Sequence, residues 1–394
     1  MRILYINDEL ATGDGSNYHA LGIWNALKAS LGEENVRAYP APADGSGVSV
    51  NRGVLGFKEH LRFPLQLVRL VRKTVLSRRR FRKLSRQLQR EGFVPTHIIS
   101  RAVLFDTTAL LAARHFRAKL VSEFNAPMYY EHGVLGGLPL TGAIGRWEQK
   151  VLTGSDLIYT VSDVCRDMLC ERYSLPKEKC RTIPNGYMSR LFTGDASERE
   201  LIRQTLRRQE GFDRQFVVTF VGSLKKWHGI DALCQLADYL KDNRDFHFLV
   251  IGDGNEHERI EQYCKTHENM TYKGKLSLEP MAEYLYAADL GIMPYHKMEH
   301  FYFSPLKLYD MIGAGLPFIG TKQGQIAQVC RESLNEAFLL EDCDAKLMAE
   351  RLVSIASRPE VYQEMKASVL KAQTAMSWEA RTEKLLEAIR EIIP

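Results

Sequence analysis

The sequence has no paired-cysteine spacing, no long apolar run and no dinucleotide glycine fingerprint. Its seven cysteines form no CxxC and no zinc-ligand pattern, and Cys165 and Cys170 are the closest two. That argues against a disulfide-stapled scaffold and a zinc module, and for reduced, mostly buried thiols. No apolar stretch approaches the roughly 18 residues that cross a bilayer. Met1-Arg-Ile-Leu-Tyr-Ile-Asn7 reads directly as a buried strand, without the charged, apolar and small-residue regions of a secretory leader, so a cytoplasmic location is expected. The missing GxGxxG spacing disfavours a nicotinamide dehydrogenase. No acidic cluster reads as a metal site, so neither metal nor cofactor is expected. Acid is also absent from one long segment. Residues 60–90 hold 11 Lys or Arg and no Asp or Glu. The whole chain has 53 basic and 48 acidic residues, so the rest carries 42 against 48. The net charge of +5 therefore sits in one place.

What is present is a soluble globular composition, with 45% hydrophobic and 26% charged residues over 394 positions. That length suits two domains. Apolar runs at Arg2–Asn7, His97–Ser100, Lys119–Phe124 and Asp156–Ser162 alternate with helical patterns. The alternation returns at Gln215–Val221, Phe246–Ile251, Met270–Lys273, Leu290–Pro294 and Leu316–Gly320. Such alternation predicts parallel α/β sheets. Several of the later strands run into Gly or Pro, so tight turns form at the edge where open sheets bind ligands. The boundaries are expected near 188 and 375, giving domains 1–188 and 189–375 and a final helical segment 376–394.

Four segments carry candidate chemistry. In Ser304-Pro-Leu-Lys-Leu-Tyr-Asp310, Ser304 suits an N-cap and Pro305 the first helical position. The amides of Leu306 and Lys307 then offer a diphosphate site at the positive end of a helix, and Asp310 a carboxylate for ribose hydroxyls. The loop Gly222-Ser-Leu-Lys-Lys-Trp-His-Gly229 has glycine at both ends and suits close approach to phosphate, with Lys225 and Lys226 as cations for a departing diphosphate. Gly252-Asp-Gly254 ends another strand. Glu123 and Asn125 end a strand of the first half and are candidate acceptor contacts.

Taken in order, these segments resemble the retaining glycosyltransferases of the two-Rossmann-domain GT-B fold, in the large family four. Val161-Ser162, Ile183-Pro-Asn-Gly186 and Glu123-Phe-Asn-Ala-Pro127 fit its first-half signposts. The resemblance implies a GT-B architecture with a C-terminal helix returning to the first domain. It implies transfer from a nucleoside diphosphate sugar to a glycan or lipid-linked acceptor, with retention and without a metal. It places Asp310 on the second Glu of the E-x7-E motif and Tyr302 where the first should stand. Glu299 and His300 are the nearby substitutes. The loop's family Arg and Lys fall on Ser223 and His228, so a protonated His228 joins Lys225 and Lys226 as a catalytic candidate. Lys275 and Leu276 occupy the base-holding stretch. Gly13 and Gly15 match the loop that closes on donor and acceptor. The alternatives are a nucleotide-sugar epimerase of the same architecture, separable by donor-only turnover, and a non-transferring binding protein.

The basic segment has apolar residues at helical spacing, including Leu61, Leu65, Val68, Phe81, Leu84 and Leu88, with Arg78, Arg79 and Arg80 as its densest charge. It reads either as a solvated helix or as a helix lying on an anionic membrane. Nucleic acid is not expected, since aromatics are not interleaved as stacking platforms.

Overall fold

The computed structural model describes residues 1–12, 17–42, 62–137 and 140–392, without side chains for 62–74. The chain divides into two compact units, residues 1–184 with 381–394, and residues 185–380.

The first unit is built on β1 (Ile3–Ile6), β2 (Val36–Tyr39), β3 (His97–Arg101), β4 (Lys119–Phe124), β5 (Leu157–Thr160) and β6 (Cys180–Thr182). All run parallel in the order β2-β1-β3-β4-β5-β6. β1 is buried along its whole length, as a strand covered on both faces must be. β2 and β6 are the strands of this unit that sequence reading passes over. β2 is the longer of the two. It has four residues, one of them Arg37, whose guanidinium pairs with Glu91. The order reverses between β1 and β3, which fixes the crevice of this unit at their carboxyl ends.

The second unit repeats the plan with β7 (Phe216–Val221), β8 (Phe246–Ile251), β9 (Met270–Tyr272), β10 (Leu290–Met293), β11 (Phe318–Thr321) and β12 (Leu339–Leu340). The order is β12-β11-β10-β7-β8-β9, again parallel. One buried carboxylate ties the opening of this sheet. Asp289 accepts from Arg203, from Arg207 at 2.8 Å and from the Val217 amide at 2.7 Å, so the starts of β7 and β10 are held together. Here the reversal lies between β7 and β10, and the segments following those two strands flank the crevice.

Candidate active site

The loop after β7 is shaped by its last glycine. Gly229 has φ +74, and a Cβ there would lie 1.6 Å from the Pro294 carbonyl oxygen, just beyond β10. Only glycine lets the two crevice-forming segments approach this closely. Trp227 is thereby stacked on Phe303 at 4.8 Å and on Tyr295 at 5.7 Å. Lys225 and Lys226 are exposed, and the Lys225 ammonium lies 5.8 Å from the Trp227 ring.

His228 does not supply a cation. It is buried, and Nδ1–H donates to the Ser223 carbonyl at 2.5 Å. Burial pushes its pKa down to about 2, and positive charge on Lys307 or Lys225, when present, acts in the same direction. The expected protonated histidine is therefore replaced by a neutral ring that fixes the loop from inside.

The helix Leu306–Gly313 starts one residue later than the sequence predicts. Pro305 is its N-cap and no side chain caps it. Ser304 Oγ is occupied elsewhere. It accepts from the Asn185 amide at 3.1 Å and meets Tyr309 Oη at 3.0 Å, while Asn185 Nδ2 donates to the Ser304 carbonyl at 2.6 Å. The first turn is thus left without a side-chain cap because the hydroxyl that would cap it holds the Pro184-Asn-Gly186 turn. Uncapped amides at a helix start favour an anion. Asp310 is buried one turn on from Lys307, so the two share a face.

Lys307 is the residue whose role sequence reading undersells. The residue is 6% exposed, and Nζ has no hydrogen-bond partner. The ammonium lies 3.7 Å from the centre of the Phe220 ring and 5.3 Å from that of Tyr295. A Cβ on Gly222 would lie 2.9 Å from Lys307 Cε and 3.2 Å from Nζ, so the amine sits directly beneath the loop after β7. The signal was available in principle, as Lys307 and Asp310 are three apart on a helix.

The other donor candidates fall around this centre. Gly252 (φ +142) and Gly254 end β8, and Cβ atoms there would lie 1.8 Å from the Gly222 carbonyl and 2.4 Å from that of Leu224. Their absent side chains let the loops after β7 and β8 pack backbone to backbone. Gly252 N also donates to the Gly274 carbonyl at 2.8 Å, which brings in the turn before exposed Lys275 and half-buried Leu276. Tyr302 is buried against Phe303. Glu299 is exposed, with His300 4.0 Å away. Asp342-Cys343-Asp344 spells a D-x-D triplet, but Asp344 accepts from Leu347 N at 2.9 Å as a helix N-cap.

In the first unit Glu123 is not exposed to a ligand. It is fully buried and accepts from His19 Nε2 and from Tyr159 Oη, each at 2.6 Å. Burial alone would raise its pKa, but His19, Arg101 and the Tyr159 hydroxyl hold it down at about 2. The acceptor contact expected at Glu123 is corrected to an internal hub. Asn125 is half-buried and its Oδ1 has no partner. Gly13 and Gly15 lie outside the described residues. Arg78 and Arg79 are exposed, but Arg80 turns inward to Asp8 and Asp106, so it pins the helix Arg62–Arg90 to the segments after β1 and β3 rather than facing a membrane. No described helix is long and apolar enough to cross a membrane.

The sequence profile of glycosyl transferases group 1 matches residues 215–358, and that of glycosyltransferase family 4 matches residues 33–188. The chain belongs to the family-four glycosyltransferases. It is 24% identical over 274 residues to TuaH of Bacillus subtilis strain 168, a protein named for teichuronic acid biosynthesis, covering 69% of this chain. The chain spans just under two thirds of that relative, 63%. Among solved structures, Anabaena HepE in complex with UDP superposes with a TM-score of 0.64 at 14% identity, over 99% of this chain and 100% of that one. A glycosyltransferase from Rickettsia africae ESF-5 gives 0.67 at 16% identity, over 99% and 98%. The architecture is GT-B, as the segment order implied.

Proposed function

We propose that this family-four chain transfers a glycosyl unit from a nucleoside diphosphate sugar to a glycan or lipid-linked acceptor, with retention, in the synthesis of a surface polysaccharide or glycolipid. The observation that carries this reading is the second unit's crevice. An uncapped helix start, a buried amine and a buried carboxylate lie on one helix, beneath a glycine-bounded loop. This is the charge pattern that a diphosphate and a ribose require. HepE has been solved with UDP and with UDP-glucose, and TuaH is named as a teichuronic acid biosynthesis glycosyltransferase, which supports the substrate class.

Lys307, with Lys225 and Lys226 at the exposed rim, stabilises the departing diphosphate. Helix amides and ammonium groups take the place of a metal, so EDTA is expected to leave turnover unchanged. A carboxylate near the anomeric carbon is needed for double displacement. Glu299, which is exposed, is the nearest acidic candidate in the sequence, so we favour front-face transfer, in which the leaving diphosphate assists deprotonation of the acceptor. Donor turnover measured with UDP-glucose, ADP-glucose and GDP-mannose tests the assignment. Asp310→Asn is expected to lower kcat/KM by about 10- to 100-fold, since a buried hydrogen-bonded charge contact is worth about 1.5 to 3 kcal/mol. Unchanged kcat/KM would remove Asp310 from the site. Conversion of the donor without acceptor would instead favour the epimerase reading, and the anomeric proton coupling of the product decides retention.

The helix Arg62–Arg90 presents Arg78, Arg79, Arg82, Lys83, Arg86 and Arg90 as exposed cations. We place this face on an anionic membrane, each charge contributing about 1 kcal/mol near such a surface. Flotation with phosphatidylserine vesicles at low salt is expected to carry the protein upward, and Arg78→Glu with Arg79→Glu to weaken this. Equal flotation with neutral vesicles would overturn the placement.

A further inference from the structure

The amine of Lys307 bonds to no carboxylate, although Asp310 follows one turn on along the same helix. The face of Phe220 is 3.7 Å away, Gly222 lies above it, and Nζ has no hydrogen bond. The titratable groups packed around it are few. His228 comes from the loop after β7 and is itself neutral, with Lys225 beside it. Tyr295 comes from the segment after β10, and burial raises its hydroxyl pKa, so it too is uncharged at neutral pH. Tyr309 and Asp310 follow on the same helix, Tyr309 directed to Ser304 Oγ. Burial is the one cause that moves the Lys307 amine, taking it from 10.5 to about 7. A permanently charged ammonium in such a place would carry a large desolvation penalty.

We propose that Lys307 has lost its proton in about half of the free protein at neutral pH, and in more of it at higher pH, and regains that proton from solvent as the donor's diphosphate binds. The positive charge that faces the leaving group is then completed by the donor itself. This inference rests on the reading of the crevice as a nucleotide-sugar site and adds a coupling to it. No covalent bond changes. The proton that moves to Nζ comes from solvent, and the two charges of the bound diphosphate supply its counter-ion. The free site thereby lessens the cost of an unpaired buried cation, and the ammonium is fully populated when there is a leaving group to stabilise. When the nucleoside diphosphate departs, the same proton is returned to solvent.

The chemistry of the probe makes the proton traceable. The diphosphate of a sugar nucleotide is esterified at both ends and does not titrate near neutrality, so any proton taken up on binding belongs to the protein. Calorimetric titration with UDP-glucose, ADP-glucose and GDP-mannose in buffers of different ionisation enthalpy counts that proton. With a free-state value of about 7, uptake is expected to be about 0.1 at pH 6, about 0.5 at pH 7 and about 0.9 at pH 8. The association constant correspondingly falls about tenfold from pH 6 to pH 8. Lys307→Arg, permanently charged, is expected to bind with no uptake and a flat pH profile, and His228→Gln to keep the wild-type uptake. Binding of a donor by the wild-type protein without uptake at pH 7 and pH 8 overturns the proposal and leaves the nucleotide-sugar reading standing. Uptake lost in His228→Gln but kept in Lys307→Arg moves the proton to the histidine and also overturns it. Failure of all three donors to bind wild-type protein sinks both the proposal and the reading beneath it.

Discussion

Lys307→Met is expected to stabilise the second unit and to lower donor turnover at the same time. The sign follows from linkage. A lysine held from 10.5 down to about 7 in the folded state destabilises the fold wherever the unfolded chain is protonated and the folded one resists it. Below pH 7 that penalty is complete, on the order of 4 to 5 kcal/mol, and it fades as pH climbs from 7 towards 10.5. Methionine fills a similar volume beside Phe220 and Tyr295 without a charge. The variant's melting midpoint should therefore exceed the wild type's at pH 6 by about 5 to 10 °C, and the gap should close on the alkaline side. Donor kcat/KM should drop by about 100- to 1,000-fold, the usual effect of removing one electrostatic stabiliser of a leaving group. A packing residue would give the opposite pair of signs, loss of stability with turnover retained. Melts at pH 6 and pH 9 beside donor assays distinguish the two.

Glu123→Gln should have the opposite effect on stability. Its carboxylate binds His19 and Tyr159 in a site closed to solvent, with Arg101 adding charge. Since the folded value lies at about 2, below the ordinary 4.5, the ionised form stabilises the first unit above pH 4.5, and that stability is lost as pH falls through 2. The depression corresponds to about 3 kcal/mol, and taking one partner out of a buried charge network costs about 3 to 5 kcal/mol. Urea unfolding at pH 7 should register that loss, while at pH 2 the variant and the parent should converge. A difference under about 1 kcal/mol at pH 7 would mean that Glu123 is not the hub its contacts indicate.

Much of the architecture is legible in the sequence because buried parallel strands read as unbroken apolar runs ending in Gly or Pro. The strand at Phe246–Ile251 is an example, entirely buried as its spelling suggests. The helix carrying Asp310 is legible for a similar reason, since its start and end have strong local signals. What fails is anything decided by a distant partner. Ser304 has the chemistry of an N-cap, yet Asn185, more than a hundred residues away, takes its hydroxyl. Glu123 ends a strand as a ligand-facing residue would, but His19 and Tyr159 close over it. Arg80 is indistinguishable in sequence from Arg78 and Arg79 until Asp8 and Asp106 are placed beside it. The stacked Trp227 and Phe303 are 76 positions apart by number, and only the meeting of the β7 and β10 segments joins them.

The outermost strands of the two sheets are short. β2 has four residues, β6 and β9 three each, and β12 two. An edge presents unpaired amides and carbonyls to any strand that drifts past, and its hazard grows with length. Here each rim offers a few rungs at most, too few to register a second copy. The native chain should therefore tolerate high concentration without sheet-to-sheet growth, and clumping on heating should track loss of the fold rather than pairing between intact molecules.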